Sequence, residues 1–266
     1  MKAVIINDTS NQEHVGCQAV MSAYHRLLDD RDIEVFGTQT LNADWRSEDN
    51  LRMLDCADIV LVNGEGSIHH DKHKDLLEIS KHYPSVLMNA VFESMTDDWS
   101  EELNAFKLVT VRETFSARYM KESQGIDPVV VPDLIFSTDR GGHKRRVSSG
   151  RYIGDSVLDC FSGSSPQVHD EQFIKEFIGH TDACLGRFHV IAIAAMFGVP
   201  FSAWGSNTWK NEAIMFDMGV PELYAEELRD AMDLIPASSS KSVRQYASTA
   251  AEKIHSLFDL IANNDY

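Results

Sequence analysis

The chain has 266 residues, 43% of them hydrophobic, which is enough for a packed core without staples and too apolar for intrinsic disorder. Its formal net charge of -17, from 41 acidic and 24 basic residues, repels nucleic acid and anionic membranes and excludes both as general partners. A small anionic ligand stays compatible if the few Arg and Lys of a site are placed locally in a screened cleft.

Residues 3–6 read as a buried opening strand. That apolar run is too short for a signal peptide, and no stretch approaches the ~20 apolar residues of a membrane span. The cysteines Cys17, Cys56, Cys160 and Cys184 form no Cys-x-x-Cys pair, so the expectation is a cytoplasmic protein with neither a disulfide framework nor a zinc site. Residues 7–16, with His14, form either a substrate loop or a plain connection. Ala19, Val20, Ala23, Leu27 and Leu28 then recur at helical spacing. Residues 33–36 predict a second strand, 51–54 the end of a short helix, and 57–62 a third strand. The near-continuous apolar run of that third strand suits a parallel sheet covered on both faces. Residues 76–79 belong to a helix; 86–91, 108–111 and 128–131 are strands; 113–123 is a helix stopped by Gly125. This alternation predicts a doubly wound α/β sheet.

Residues 137–150, rich in Gly, Ser, Arg and Lys, read as a linker. Beyond it structure resumes at 151–158, followed by a helix at 171–178, a strand at 183–185 and a helix at 187–197 closed by Gly198. A strand at 199–203, a helix at 208–218 and two helices near 221–232 and 240–261 finish the chain. The expected organisation is two α/β lobes with a cleft between them, residues 1–140 and 150–266, the second reduced and carrying the terminal helices.

In open α/β sheets ligands bind at the carboxyl ends of strands, and four such ends carry distinctive residues. In Asn63-Gly64-Glu65-Gly66-Ser67 the glycines permit a tight turn that brings backbone N–H groups close to a ligand, with Glu65 as acid, base or hydroxyl acceptor. A plain strand-to-helix turn is the alternative. Arg112 can hold a carboxylate or phosphate bidentately, or pair with a nearby Glu. Asp133 can orient a sugar hydroxyl or a cationic partner, or cap a helix. In Gly186-Arg187-Phe188-His189, Arg187 and His189 open an apolar helix whose N-terminus already favours anions. This favours a phosphate or carboxylate site over a salt-bridged Arg and a core His. Ser206, Asn207 and Lys210 follow the next strand and can add a second anion contact. The tract His69-His70-Asp71-Lys72-His73 has no zinc-motif spacing and reads as a polar helix start, with His69 able to face the cleft beside Glu65.

Taken together, Asn63-Gly-Glu-Gly-Ser67, Val111-Arg-Glu113 leading on to Pro132-Asp133, and Gly186-Arg-Phe-His189 with Ile191-Ala192, Gly198-Val-Pro200 and Lys210 resemble the polysaccharide pyruvyl transferase family. The second half is trimmed against that pattern, and residues 137–166 carry no match to it. The resemblance implies a two-lobed fold similar to type B glycosyltransferases. It also implies phosphoenolpyruvate as donor, a saccharide acceptor, often a lipid- or nucleotide-linked cell-envelope precursor, and a pyruvate ketal product in exopolysaccharide biosynthesis. Under it Arg187 and His189 belong to the donor site and Arg112 joins them. Imidazole suits proton transfer near neutral pH, so His189 is the expected acid or base, with Glu65 the partner of an acceptor hydroxyl. Asn63, Gly64, Gly66, Ser67, Asp133, Ser206, Asn207 and Lys210 complete the expected substrate contacts. No cofactor and no metal are expected beside the donor, and a homo-oligomer stays open. Two other readings also stay open: a nucleotide-sugar glycosyltransferase, and a non-catalytic saccharide-binding protein of the same fold.

Overall fold

The computed structural model describes residues 1–12, 14–65, 68–139, 141–157, 171–236 and 238–266. The chain divides into two compact units, neither of them a single contiguous segment. Unit 1 comprises Met1–Gln12, Val20–Leu134 and Lys253–Tyr266; unit 2 comprises Glu13–Ala19 and Ile135–Glu252. This differs from the simple division into 1–140 and 150–266 that the sequence suggests.

The elements run β1 (Lys2–Asp8), α1 (Val15–Asp29), β2 (Glu34–Thr40), α2 (Glu48–Leu54), β3 (Ile59–Asn63), β4 (Ser85–Ala90), α3 (Ser100–Ala105), β5 (Leu108–Val111), α4 (Thr114–Gln124) and β6 (Val129–Val130). All six strands belong to one sheet of unit 1, in the order β2-β1-β3-β4-β5-β6, and every pairing is parallel. The cause is visible in the residues: β3 and β4 are buried along their whole length, so both faces of the sheet need a cover. On α1, Val20, Tyr24, Leu27 and Leu28 are fully buried, and each of the three aliphatic side chains contributes about 1.5–3 kcal/mol of hydrophobic stabilisation.

Unit 2 holds β7 (Tyr152–Ser156), α5 (Glu171–Phe177), β8 (Ala183–Gly186), α6 (Phe188–Phe197), β9 (Phe201–Trp204), α7 (Lys210–Asp217), β10 (Tyr224–Ala225) and α8 (Leu228–Met232). Its smaller sheet is also parallel, in the order β10-β9-β8-β7. Helix α6 is buried from Phe188 to Met196, which explains why it is apolar all round and rich in alanine. It ends at Gly198, whose φ of 70° is the left-handed cap conformation that glycine adopts without strain.

The last helix, α9 (Lys241–Asn263), contributes to both units. Its end is held in unit 1 by Ile254, Phe258 and Ile261, all fully buried, with Phe258 edge-on to Tyr24 at 6.0 Å. Arg31 adds bonds to Asp259 at 2.8 Å and to the His255 carbonyl at 3.0 Å.

One further segment differs from the sequence expectation. Residues 221–232 are not one helix: a 3-10 turn at Pro221–Leu223 leads into β10, which pairs Tyr224 with Ala203 and Ala225 with Trp204 before α8 starts. A two-residue strand has no periodicity to read, so tertiary pairing decides it. Residues 76–79 lie in a 3-10 helix, Lys74–Lys81, preceded by His73 at a φ of 48°. The expected linker at 137–150 is tied to unit 2 where Arg145 donates to the carbonyls of His180 and Thr181 at 2.8 and 2.9 Å. Among the described residues no helix is long and apolar enough to cross a membrane.

Candidate functional site

In unit 1 the chain passes from β1 to β2 on one side and reaches β3 on the other. Such a reversal opens a crevice at the carboxyl ends of the two central strands. Two asparagines close its floor. Asn7, left-handed at a φ of 65°, donates through Nδ2 to the Asn63 carbonyl at 2.6 Å, and Asn63 Nδ2 donates back to the Asn7 carbonyl at 3.2 Å. Both are buried, and Asn63 Oδ1 accepts from the Glu65 N–H. The Thr9 hydroxyl donates to Glu65 Oε2 at 2.8 Å, so this carboxylate already accepts one hydroxyl. A Cβ on Gly64 would come within 2.6 Å of Ala90 Cβ and 2.8 Å of Ala90 Cα, so only glycine lets the exit of β3 lie against β4. Gly66 and Ser67 lie outside the described residues. Next to Asn7 opens a cavity of about 280 Å³ lined by Thr40, Asn42, Asp44, His73 and Asp75 among others.

At the ends of β5 and β6, Arg112 Nη1 donates to Asp133 Oδ2 at 2.8 Å, with both side chains all but inaccessible to water. Of the roles open to Asp133, the structure shows that of partner to a cation. Glu113 caps α4, accepting from the Ser116 N–H at 2.9 Å and from the Ser116 hydroxyl. Tyr24 is fully buried and its hydroxyl has no hydrogen-bond partner among the described residues. Burial pushes its pKa well above the usual tyrosine value, and the carboxylates of Glu65 and Asp133 push it further.

His69 is buried and bridged to Glu93 through the backbone, with its Nδ1 2.9 Å from Nδ1 of His70. Asp71 turns outward and accepts from the Thr96 N–H and hydroxyl, bonds that hold its carboxyl below the usual range.

In unit 2 the ends of neighbouring strands β7, β8 and β9 carry the second group. Arg187, at the N-cap of α6, donates through Nε and Nη2 to the two oxygens of Asp155 at 3.0 and 2.9 Å. This fork fixes the plane of the guanidinium. His189 follows in the first turn of α6, a turn with no acidic residue and no side-chain cap. Gly186 brings β8 close to β7: a Cβ there would lie 2.5 Å from the Asp155 carbonyl oxygen. Asn211 Nδ2 joins the ends of β8 and β9 by donating to the carbonyls of Gly186 and Trp204 at 2.9 and 2.8 Å. Lys210 Nζ donates to Asn207 Oδ1 at 2.6 Å, and the Ser206 hydroxyl bonds the same oxygen at 3.3 Å. Burial raises the pKa of Tyr152, and the Asp155 carboxylate adds to this while Arg187 opposes it.

The expected residues therefore fall into two groups: Asn63, Gly64, Glu65, Arg112 and Asp133 in unit 1, and Arg187, His189, Ser206, Asn207 and Lys210 in unit 2. Sequence reasoning missed Asp155 and Asn211, and it held Asn7 and Thr9 only as part of the 7–16 loop. Asp155 had a signal, since an acid on the buried face of a strand demands a cationic partner. It also passed over His14, Cys17 and His189 as a set of metal-capable groups in unit 2.

Two units of parallel sheet and helix, each with its polar residues gathered at the carboxyl ends of the strands, define a two-lobed Rossmann-like α/β protein. The chain belongs to the polysaccharide pyruvyl transferase family, whose model matches residues 6–203. Among solved structures it is similar to that of a functionally uncharacterized protein, KP1_0663, from Klebsiella pneumoniae subsp. pneumoniae NTUH-K2044. The likeness has a TM-score of 0.56 at 15% identity and covers 81% of this chain and 88% of that one, which supports the fold. No curated protein matches the sequence.

Proposed function

We propose that the protein transfers the pyruvyl group of phosphoenolpyruvate to two hydroxyls of a saccharide, as a cytoplasmic step in building a cell-surface polysaccharide. The first turn of α6 carries this reading. It joins an acid-free helix N-terminus, an Arg187 whose orientation is fixed by Asp155, and His189. A helix N-terminus favours an anion, and an oriented guanidinium adds bidentate recognition of carboxylate or phosphate.

The reaction forms two C–O bonds from the acceptor to C2 of the donor and breaks the C–O bond to phosphate. One hydroxyl proton ends on the methylene carbon, making it a methyl, and the other leaves with phosphate. Arg187 holds the donor anion and His189 moves a proton, a task suited to imidazole near neutral pH. Lys210, held by Asn207, adds positive charge at the end of the next strand. In unit 1, Glu65 with its Thr9 hydroxyl partner and the asparagine-lined crevice offers hydrogen bonds to a hydroxylated ligand. Arg112 serves with Asp133 as a buried tie between strand ends.

Phosphate release from phosphoenolpyruvate, followed across a panel of pyranoside acceptors, tests the reading. His189→Ala is expected to keep the fold and lower turnover at least ~10²-fold. Stabilisation by nucleotide sugars and not by phosphoenolpyruvate in thermal unfolding would favour a glycosyltransferase. No turnover with any acceptor and no donor binding would favour a saccharide-binding protein.

A further inference from the structure

The side chains of His14, Cys17 and His189 meet in unit 2, each offering one ligand atom, with these atoms all within 4.8 Å of one another. We propose that they form a zinc-binding site.

The local sequence builds it. His14 immediately precedes α1 and Cys17 is the third residue of that helix, a spacing that places both on one face of the first turn. Gly16 between them lies against the His189 ring so closely that any Cβ would overlap the imidazole. The start of α1 and the start of α6 therefore touch through a glycine, and the two imidazoles stand 5.3 Å apart between centroids, tilted by 55°.

The magnitudes are compatible with a metal. Tetrahedral zinc with bonds of about 2.0–2.3 Å needs its ligand atoms roughly 3.3–3.6 Å apart. The observed limit of 4.8 Å exceeds this by roughly 1.2–1.5 Å, a gap within the reach of small side-chain rotations. The donor set also decides which metal. Two imidazoles and a thiolate suit zinc, whereas magnesium and calcium take oxygen ligands. The Gly16 N–H donates to His14 Nδ1 at 3.2 Å, and ligation through that atom exchanges one weak hydrogen bond for a metal bond. Binding also releases the Cys17 thiol proton, so affinity rises with pH.

Three protein ligands leave a fourth position for water or an anion. Zinc bound there occupies a nitrogen of His189, and we expect it to block proton transfer by that residue and so inhibit turnover. This consequence alone rests on the proposed function; the site itself does not.

The test titrates the full chain, stripped by chelator, with cobalt(II). The expected result is one equivalent bound, with a thiolate-to-cobalt charge-transfer band and strong tetrahedral d–d bands that zinc abolishes. Cys17→Ser should lose the charge-transfer band, His14→Ala should weaken cobalt binding at least ~10-fold, and replacing the exposed Cys56 by Ser should change neither. Cys17→Ala is the second variant should Cys17→Ser unfold, with thermal unfolding as the check. No charge-transfer band in the native chain, or a band that persists in a folded Cys17 variant, overturns the site. A chain that shows the band but turns over equally well with zinc keeps the site and removes His189 from proton transfer.

Discussion

Asp133→Ala isolates the buried ion pair with Arg112. The pair is formed at 2.8 Å with the two side chains 2% and 0% exposed, so water cannot replace the lost carboxylate. Removing one partner of such a pair costs about 3–5 kcal/mol, most of it the penalty of an uncompensated buried charge. At about 2–4 °C per kcal/mol for a chain of this size, the melting temperature should fall by roughly 6–20 °C. Replacing both partners, Arg112→Met with Asp133→Leu, removes both charges of the pair and should recover most of that loss. Calorimetry on the native chain, the two single variants and the double variant gives the coupling energy directly. An Asp133→Ala protein within about 1 kcal/mol of the native chain would refute the reasoning. Arg112 would then be solvated, and an anion clamp would again be its better description.

Tyr24→Phe should be neutral or stabilising by up to about 1 kcal/mol, because it deletes a buried hydroxyl that has no partner among the described residues. It should also flatten the alkaline limb of stability. With its folded pKa raised above the unfolded value of about 10, Tyr24 ionises first in the unfolded chain, so stability falls as pH rises past that point. Denaturant melts of both proteins across that range check the difference. Phe258→Ala empties a fully buried site and should cost about 3–5 kcal/mol, read in the same melts. Asp155→Asn keeps the shape of the Arg187 contact but removes its charge, and it should raise the KM for phosphoenolpyruvate more than it lowers kcat if Asp155 acts by orienting Arg187.

The larger sheet was legible because β1, β3 and β4 are apolar runs with covers on both faces, a pattern that identifies parallel strands on its own. The placement of Arg187 and His189 at the start of α6 could be read as well, since charged and titratable groups opening an apolar helix stand out against their neighbours. What could not be read depends on contacts distant in the chain. Nothing in Tyr224-Ala225 announces a strand until β9 lies beside it. The end of α9 looks like any amphipathic helix, and tertiary contacts such as those with Tyr24 and Arg31 decide which unit it joins. The pairing of Arg112 with Asp133 and of Arg187 with Asp155 was hidden for the same reason: each carboxylate lies more than twenty residues away, and an Arg at a strand end looks identical whether it faces a ligand or an Asp.

The reciprocal amide bonds between Asn7 and Asn63 bear on how the protein ages. Asn63 precedes Gly64, the pairing most prone to deamidation, in which the following amide nitrogen attacks the side-chain carbonyl to form a succinimide. Here the attacking group is occupied, because the Gly64 N–H donates to the Met88 carbonyl at 2.7 Å while the Asn63 amide is held by Asn7. The native fold thus shields this bond from a reaction that the unfolded chain undergoes readily. Conversion to aspartate would set a carboxylate against the Asn7 carbonyl, so a molecule damaged while unfolded would refold with a broken crevice floor.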